Sequence, residues 1–285
     1  MKFIDFFRAN RDSYQALLLD VDGTICTGSR ALPGAAELLA ELKLSGYPHL
    51  ILTNDGNHSP EEKSELLRRG GLPVSADEIV SCGAALKEVS DVNGYAGKTF
   101  FVLGRLGVPC FAERAGLRVC RDPGKIEECF GVINGEDYYD WHDHMQAVIN
   151  YFRRHPDRPY LVPNPDSYWP SPRTGDFGIG AGGQARFIAS MLGEMGVEVT
   201  PTYLGKPYRP LYDYSVHLLH QRFGLPEPQN YRKILMAGDS LQSDVRGANR
   251  CGMTSALLLT GITDAERAAR AEGETKPQYI FESIN

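Results

Sequence analysis

The feature that most limits what this chain can fold into is the stretch Ala16-Leu17-Leu18-Leu19-Asp20-Val21-Asp22-Gly23-Thr24. Its unbroken apolar run reads as a strand covered on both faces, because such a strand needs no polar alternation. Gly23 marks a sharp turn where the strand ends. Asp20 and Asp22 then sit just past the carboxyl end of a buried strand, the edge at which open α/β sheets bind ligands. Two ionised carboxylates held together repel, so one takes a proton or both share a cation. A small hard cation such as Mg²⁺ suits them. A calcium loop does not: its fifth, sixth and twelfth positions would be Thr24, Ile25 and Ala31, which lack the third acid or amide, the glycine and the closing glutamate.

A D-x-D-G turn alone is common, and the rest of the chain gives it meaning. The run His49-Leu50-Ile51-Leu52 ends in Thr53-Asn54. Thr202-Tyr203-Leu204 leads into Gly205-Lys206-Pro207, and Lys233 to Ala237 ends in Gly238-Asp239-Ser240, with Asp244 five residues beyond Asp239. Taken singly, Thr53-Asn54 is a turn or helix cap, Lys206 a solvated charge and Asp239 a loop cap. In a parallel sheet, however, these four strand ends share one edge. Together they offer acids for a cation, neutral donors and a lysine for an anion, and a carboxylate able to act as nucleophile, the set that a phosphoryl group with Mg²⁺ needs.

Between the strands, helices are expected over Ala35 to Leu44, closed by Gly46, and from Pro60, after the capping residue Ser59, to about Arg69. A further helix is expected after Ser75, whole or in two pieces around Ser81 to Gly83. From Gly97 the texture starts afresh, with strands at Thr99 to Leu103, near Val119, at Gly131 to Asn134 and at Tyr160 to Val162. Helical stripes run through Trp141, Met145, Val148 and Phe152, and through Ala185, Ile188, Leu192 and Met195. Residues 96–202 thus read as a second α/β domain inserted into a core made of 1–95 and 203–285.

Charged residues are 23% of the chain, hydrophobic ones 42%, and the net charge is −6. That balance speaks against a nucleic-acid surface, and no apolar run approaches the roughly 20 residues that span a bilayer. The six cysteines form no C-x-x-C pair, so a zinc or dithiol motif is not expected and the thiols read as reduced, in a cytoplasmic protein. The first eight residues are too short and too charged for a signal segment and read as a short helix packed on the body. His217 and His220 read as a solvated helix face, as do His142 and His144.

In order and spacing, Asp20-Val21-Asp22-Gly23-Thr24, Thr53-Asn54, Gly205-Lys206-Pro207 and Gly238-Asp239 with Asp244 resemble the haloacid dehalogenase (HAD) superfamily. The insert, with Asn164-Pro165-Asp166 and a glycine-rich helix start at Gly180 to Gly183, is similar to that of the class of p-nitrophenylphosphatases, phosphoglycolate phosphatases and sugar phosphatases. The resemblance implies a Rossmann-like, doubly wound parallel-sheet core with an α/β cap, Mg²⁺ as cofactor, and phosphatase action on a small phosphorylated metabolite through an aspartyl-phosphate. It makes Asp20 the nucleophile and Asp22 the general acid and then base. Asp20, the Asp22 carbonyl and Asp239 hold the metal, Thr53 and Asn54 grip the phosphoryl oxygens, Lys206 neutralises them, and Asp244 orients metal waters or Lys206. It also implies a homodimer through the cap. Many relatives carry a second Asn where this chain has Asp55, and a Thr where it has Ser243.

In the cap, Asn164 and Asp166 are candidates for specificity, with their loop expected to face the catalytic edge. Trp141, Tyr168, Trp169 and Arg173 are candidate pocket residues or ordinary packing. A dehalogenase would need neither Asp22 nor a metal. A phosphomutase on the same scaffold, or a binding protein without catalysis, are the competing readings.

Overall fold

The computed structural model describes residues 2–28, 30–136, 139–170, 175–226 and 230–285. Contacts divide the chain into two units, Met1–Thr53, Pro60–Val80 and Lys206–Asn285 in the first, Asn54–Ser59 and Ser81–Gly205 in the second.

The first unit is built on a six-stranded sheet in the order Tyr279–Phe281, Thr254–Leu258, Ile234–Gly238, Ala16–Asp20, His49–Thr53, Ile79–Ser81. Ala16–Asp20 lies at its centre, parallel to both neighbours, with Leu18 beside Met236 on one side and Leu50 on the other. All five of its residues are buried, as the apolar run requires. The helix Ala35–Leu44 covers the sheet with Ala35, Leu38, Leu39 and Leu42, and Gly46 at φ +60° follows its end. The helix Pro60–Arg69 has Glu61 and Glu62 in its first turn and Arg68 and Arg69 in its last, which complements the helix dipole. The short first helix, Phe3–Asn10, buries Phe3, Ile4 and Phe7. The Phe3 ring meets Phe281 edge-on at 5.3 Å, and the Phe3 and Ile4 N–H groups donate to the Ser283 and Ile284 carbonyls.

The second unit has its own parallel five-stranded sheet, in the order Thr202–Tyr203, Tyr160–Val162, Gly131–Asn134, Thr99–Leu103, Arg118–Cys120. The helices Trp141–Arg154 and Ala181–Glu194 pack Met145, Val148, Phe152, Ala185, Ile188 and Leu192 into one core. A hairpin of Tyr168–Pro170 with Phe177–Ile179 completes it. The fold is an α/β parallel-sheet core with an inserted α/β domain.

Three sequence expectations need correction. The helix expected after Ser75 is a single turn, Ala76–Glu78, capped by Ser75 and followed by the strand Ile79–Ser81; the helix proper, Leu86–Asn93, comes later. The first boundary lies near residue 81, not 96, because Ala85 and Leu86 pack with Phe100, Val102 and Leu161 of the second unit's sheet. Gly83 is so close to Phe111 that a Cβ there would lie 2.4 Å from the ring. At the far end, Thr202–Tyr203 pairs with Tyr160–Val162, so 203–205 also fold with the second unit. Finally, Trp141 and Met195, placed on core stripes by their spacing, are exposed at helix ends.

Phe3 is fully buried in a core that joins the two chain ends, so Phe3→Ala should cost about 3–5 kcal/mol of stability. Urea denaturation of the two proteins measures it; an unchanged midpoint would show that the first helix is not part of the core.

Candidate active site

Asp20 ends the central strand, Thr53 ends its neighbour, and Asp239 directly follows Ile234–Gly238 on the other side. Lys206 begins the segment that returns the chain to the first unit. Its Nζ donates to Asp20 Oδ1 and, at 2.7 Å, to Asp244 Oδ1, with the Leu52 carbonyl at 3.4 Å. Asp244 is fixed from behind, where its Oδ2 accepts the Ser240 N–H at 3.0 Å. Asp239 Oδ2 accepts the Ile262 N–H at 2.7 Å. Carboxylate oxygens of Asp20, Asp239 and Asp244 lie within 4.8 Å of one another, and all three residues are buried. Glycines make this packing feasible. A Cβ on Gly23 or Gly261 would come within 2.3 and 1.8 Å of Asp239 Oδ2, and one on Gly238 within 2.2 Å of the Asp244 Cγ.

Asp22 differs. Its side chain is 59% exposed, against 10% for Asp20. It meets Lys63 Nζ at 3.3 Å.

The charges of the buried group do not balance, because three carboxylates face one ammonium. Burial pushes Asp20 well above the usual carboxylate range, and Asp244 and Asp239 add to this against the pull of Lys206. Burial, and next the charge of Asp244, lift Asp239 to about 7, although the Ile262 N–H opposes it. Burial alone would lower Lys206; Asp20 and Asp244 outweigh it and hold the ammonium above its ordinary value. A surplus of buried negative charge among hard oxygen ligands fits a divalent cation.

Other expected residues lie in the second unit. Asn54 Nδ2 donates to Asp166 Oδ2 at 3.1 Å, and the Asp166 N–H donates to Asn164 Oδ1 at 2.9 Å. The structure therefore brings these three together. Asp55 is a loop cap whose Oδ1 accepts the Asn57 and His58 N–H groups, while Oδ2 receives His58 Nδ1 at 2.9 Å. Trp141, Tyr168 and Trp169 are exposed, with the Trp169 ring lying against Gly178, and Arg173 lies outside the described residues. His220 Nδ1 donates to the Leu225 carbonyl, and His217 lies beside Gln221. Asp140, His142 and Asp143 form a second, exposed group, explained by Asp140 capping the helix Trp141–Arg154.

Residues 17–118 match the family model of haloacid dehalogenase-like hydrolases, and 203–285 match a HAD-hydrolase-like model. The chain is 30% identical over 280 residues to chronophin of Rattus norvegicus, covering 95% of this chain and 85% of that one. It belongs to the haloacid dehalogenase-like hydrolases. An acid sugar phosphatase of Staphylococcus aureus is 25% identical over 272 residues, 95% of this chain and 96% of that one. A glycerol phosphate phosphatase of Mycobacterium tuberculosis, solved in complex with magnesium, has the same fold with a TM-score of 0.81 at 24% identity, covering all of this chain and 78% of that one. Within the HAD hydrolases this chain is a phosphoric monoester hydrolase. Among the described residues, no helix is long and apolar enough to cross a membrane.

Sequence reasoning missed Lys63. It sits in the charged helix Pro60–Arg69, where a lysine looks solvated, yet it is buried beside Asp22. The inner face that it shares with Ser64 and Leu67 is seen only in the folded helix.

A pH dependence follows from Asp239. With its carboxyl lifted from 3.8 to about 7, the metal-free HAD fold keeps its full contribution below 3.8 and loses it as the pH rises through about 7. A cation that binds the ionised group opposes this loss. Magnesium should therefore raise the melting temperature of chelator-treated protein more at about pH 8 than at about pH 5.5. Equal shifts at both would remove Asp239 from the cation site.

Proposed function

We propose that the chain is a Mg²⁺-dependent phosphatase that hydrolyses a small phosphorylated metabolite, a sugar phosphate or similar phosphomonoester, through an aspartyl-phosphate on Asp20. The observation that carries this reading is the contrast between two acids two residues apart. Asp20 is buried against Lys206 with Asp239 and Asp244, whereas the Asp22 carboxylate is largely exposed. Such a contrast suits one nucleophile and one group that exchanges protons with a leaving group and water. The names of the sugar phosphatase and glycerol phosphate phosphatase relatives support the substrate class.

Asp20, Asp239 and the Asp22 backbone carbonyl would hold magnesium, which supplies positive charge that favours the ionised form of Asp20 and polarises the phosphoryl group. Thr53 and Asn54 hold phosphoryl oxygens, and Lys206 neutralises them while fixing Asp20. Asp244 keeps Lys206 in place. An Asp20 oxygen attacks phosphorus as the bond to the leaving alcohol breaks, and Asp22 gives that oxygen its proton. Asp22, now ionised, takes a proton from water as the water oxygen attacks phosphorus. The Asp20–phosphorus bond breaks and inorganic phosphate leaves.

Asn164 and Asp166 set specificity on the leaving-group side. The enzyme works in the cytoplasm, consistent with six free thiols, and pairs with a second copy through the inserted domain. The exposed Tyr168, Phe177 and Ile179 on one face of the hairpin support that pairing. Light scattering at micromolar concentration should give the mass of two chains, and the mass of one would refute the dimer.

Asp20→Asn should abolish turnover and phosphoenzyme formation. Asp22→Asn should lose roughly 10²–10⁴-fold with alkyl phosphates but far less in the first-turnover release of nitrophenolate from p-nitrophenyl phosphate, whose leaving group needs little protonation. Rapid-mixing kinetics with both substrate types read this. An equal loss in both would rule out Asp22 as the acid, and an active Asp20→Asn enzyme would overturn the nucleophile.

A further inference from the structure

A buried acid outside the motifs organises polar residues of the second unit. Glu136 follows the strand Gly131–Asn134 and is 4% exposed. Its backbone exchanges hydrogen bonds with Arg105, whose N–H donates to the Glu136 carbonyl at 2.6 Å and whose carbonyl accepts the Glu136 N–H at 3.1 Å. The start of the side chain is thereby fixed. Oε1 accepts from Asn164 Nδ2 and, at 3.1 Å, from the Ala181 N–H that opens the helix Ala181–Glu194. Oε2 accepts from Asn57 Nδ2 at 3.2 Å.

Each donor leads to a residue of the proposed site. Asn164 accepts the Asp166 N–H, and Asp166 accepts from Asn54. Asn57 lies three residues after Asn54 in the same loop. One carboxylate thus joins the loop after the second motif, the Asn164-Pro165-Asp166 loop and a helix start. The backbones leave those loops little freedom. A Cβ on Gly182 would lie 2.0 Å from the Pro165 carbonyl oxygen, and one on Gly205 would lie 2.5 Å from Asn54 Oδ1.

Burying a carboxylate is costly unless several donors satisfy it. For joining elements alone, apolar packing serves as well. What a buried acceptor adds is direction, since hydrogen bonds to a charged oxygen are short and strong and fix the orientation of the amides that make them.

We propose that Glu136 is a positioning residue of the phosphatase reaction, holding Asn54 and Asp166 in the orientation in which they receive the phosphoryl group and the leaving group. This rests on the assignment of Asn54 to the phosphoryl oxygens.

The test uses the full-length enzyme with magnesium, p-nitrophenyl phosphate as substrate and inorganic phosphate as competitive inhibitor. Glu136→Gln and Glu136→Leu are each made alone and together with Asn54→Ala. Glu136→Gln keeps the side-chain volume and one acceptor, and it stands in if Glu136→Leu fails to fold. Alone, both should raise KM and the phosphate inhibition constant, by roughly 10- to 100-fold for Leu and less for Gln, with kcat changed less than about threefold. On Asn54→Ala the further change should stay below about threefold, because residues acting through one another are not additive. Equal factors in both backgrounds, or a lower melting temperature with unchanged KM and inhibition constant, would overturn the proposal. An Asn54→Ala enzyme with unaltered phosphate inhibition would instead overturn the assignment of Asn54, and this inference with it.

Discussion

The site depends on one buried ammonium. Lys206 is almost wholly removed from water and survives there because it is shared between Asp20 and Asp244. A lone buried charge of either sign would be driven to neutrality. Breaking either pair would leave an uncompensated ion inside, which is far more damaging than losing a surface pair. Asp20 leaves the central strand, and Asp244 is clasped by the Ser240 N–H just after a neighbouring strand. The parallel pairing of Ala16–Asp20 with Ile234–Gly238 therefore sets the distance that Lys206 bridges. Sheet register and active-site chemistry are one constraint here.

The same arrangement leaves a debt of negative charge. Asp239 joins the two paired acids with the Ile262 N–H donating to its Oδ2, and glycines at 23 and 261 let it approach. Its raised proton affinity and its fitness for a hard cation have one cause, the carboxylates crowded into a dry edge.

Much of this was legible in the sequence because strand-end motifs concentrate information. An apolar run that stops at a carboxylate states both a buried strand and what lies at its end, so Asp20, Thr53, Asp239 and Asp244 could be placed without coordinates. Lys63 could not, because nothing in Pro-Glu-Glu-Lys-Ser distinguishes a helical lysine turned inward from one in water. Glu136 was equally hidden. Its meaning lies in donors from residues 57, 164 and 181, and long-range pairing leaves no local pattern. The boundary was misplaced for a related reason. Residues 81–95 look the same whichever core they join, and only the packing of Ala85 and Leu86 against Phe100 decides the matter. The strand Ile79–Ser81 is three residues long, too short for periodicity to separate it from the helical texture around it.

The partition of the chain also bears on how such proteins can exchange parts. An insert that enters and leaves once can be transplanted by cutting at two places. Here the chain passes between the units at four, since Asn54–Ser59 folds with the insert. That short loop is tied in by Cys82 Sγ on the Asn54 carbonyl, Ser81 Oγ on the Asp55 carbonyl and Ser59 Oγ on the Val108 carbonyl. A graft of residues 81–205 alone would strand it among foreign partners. A chimera built to borrow a relative's specificity must carry the loop after the second motif along with the domain, because the recipient's own loop was shaped to fit what was removed.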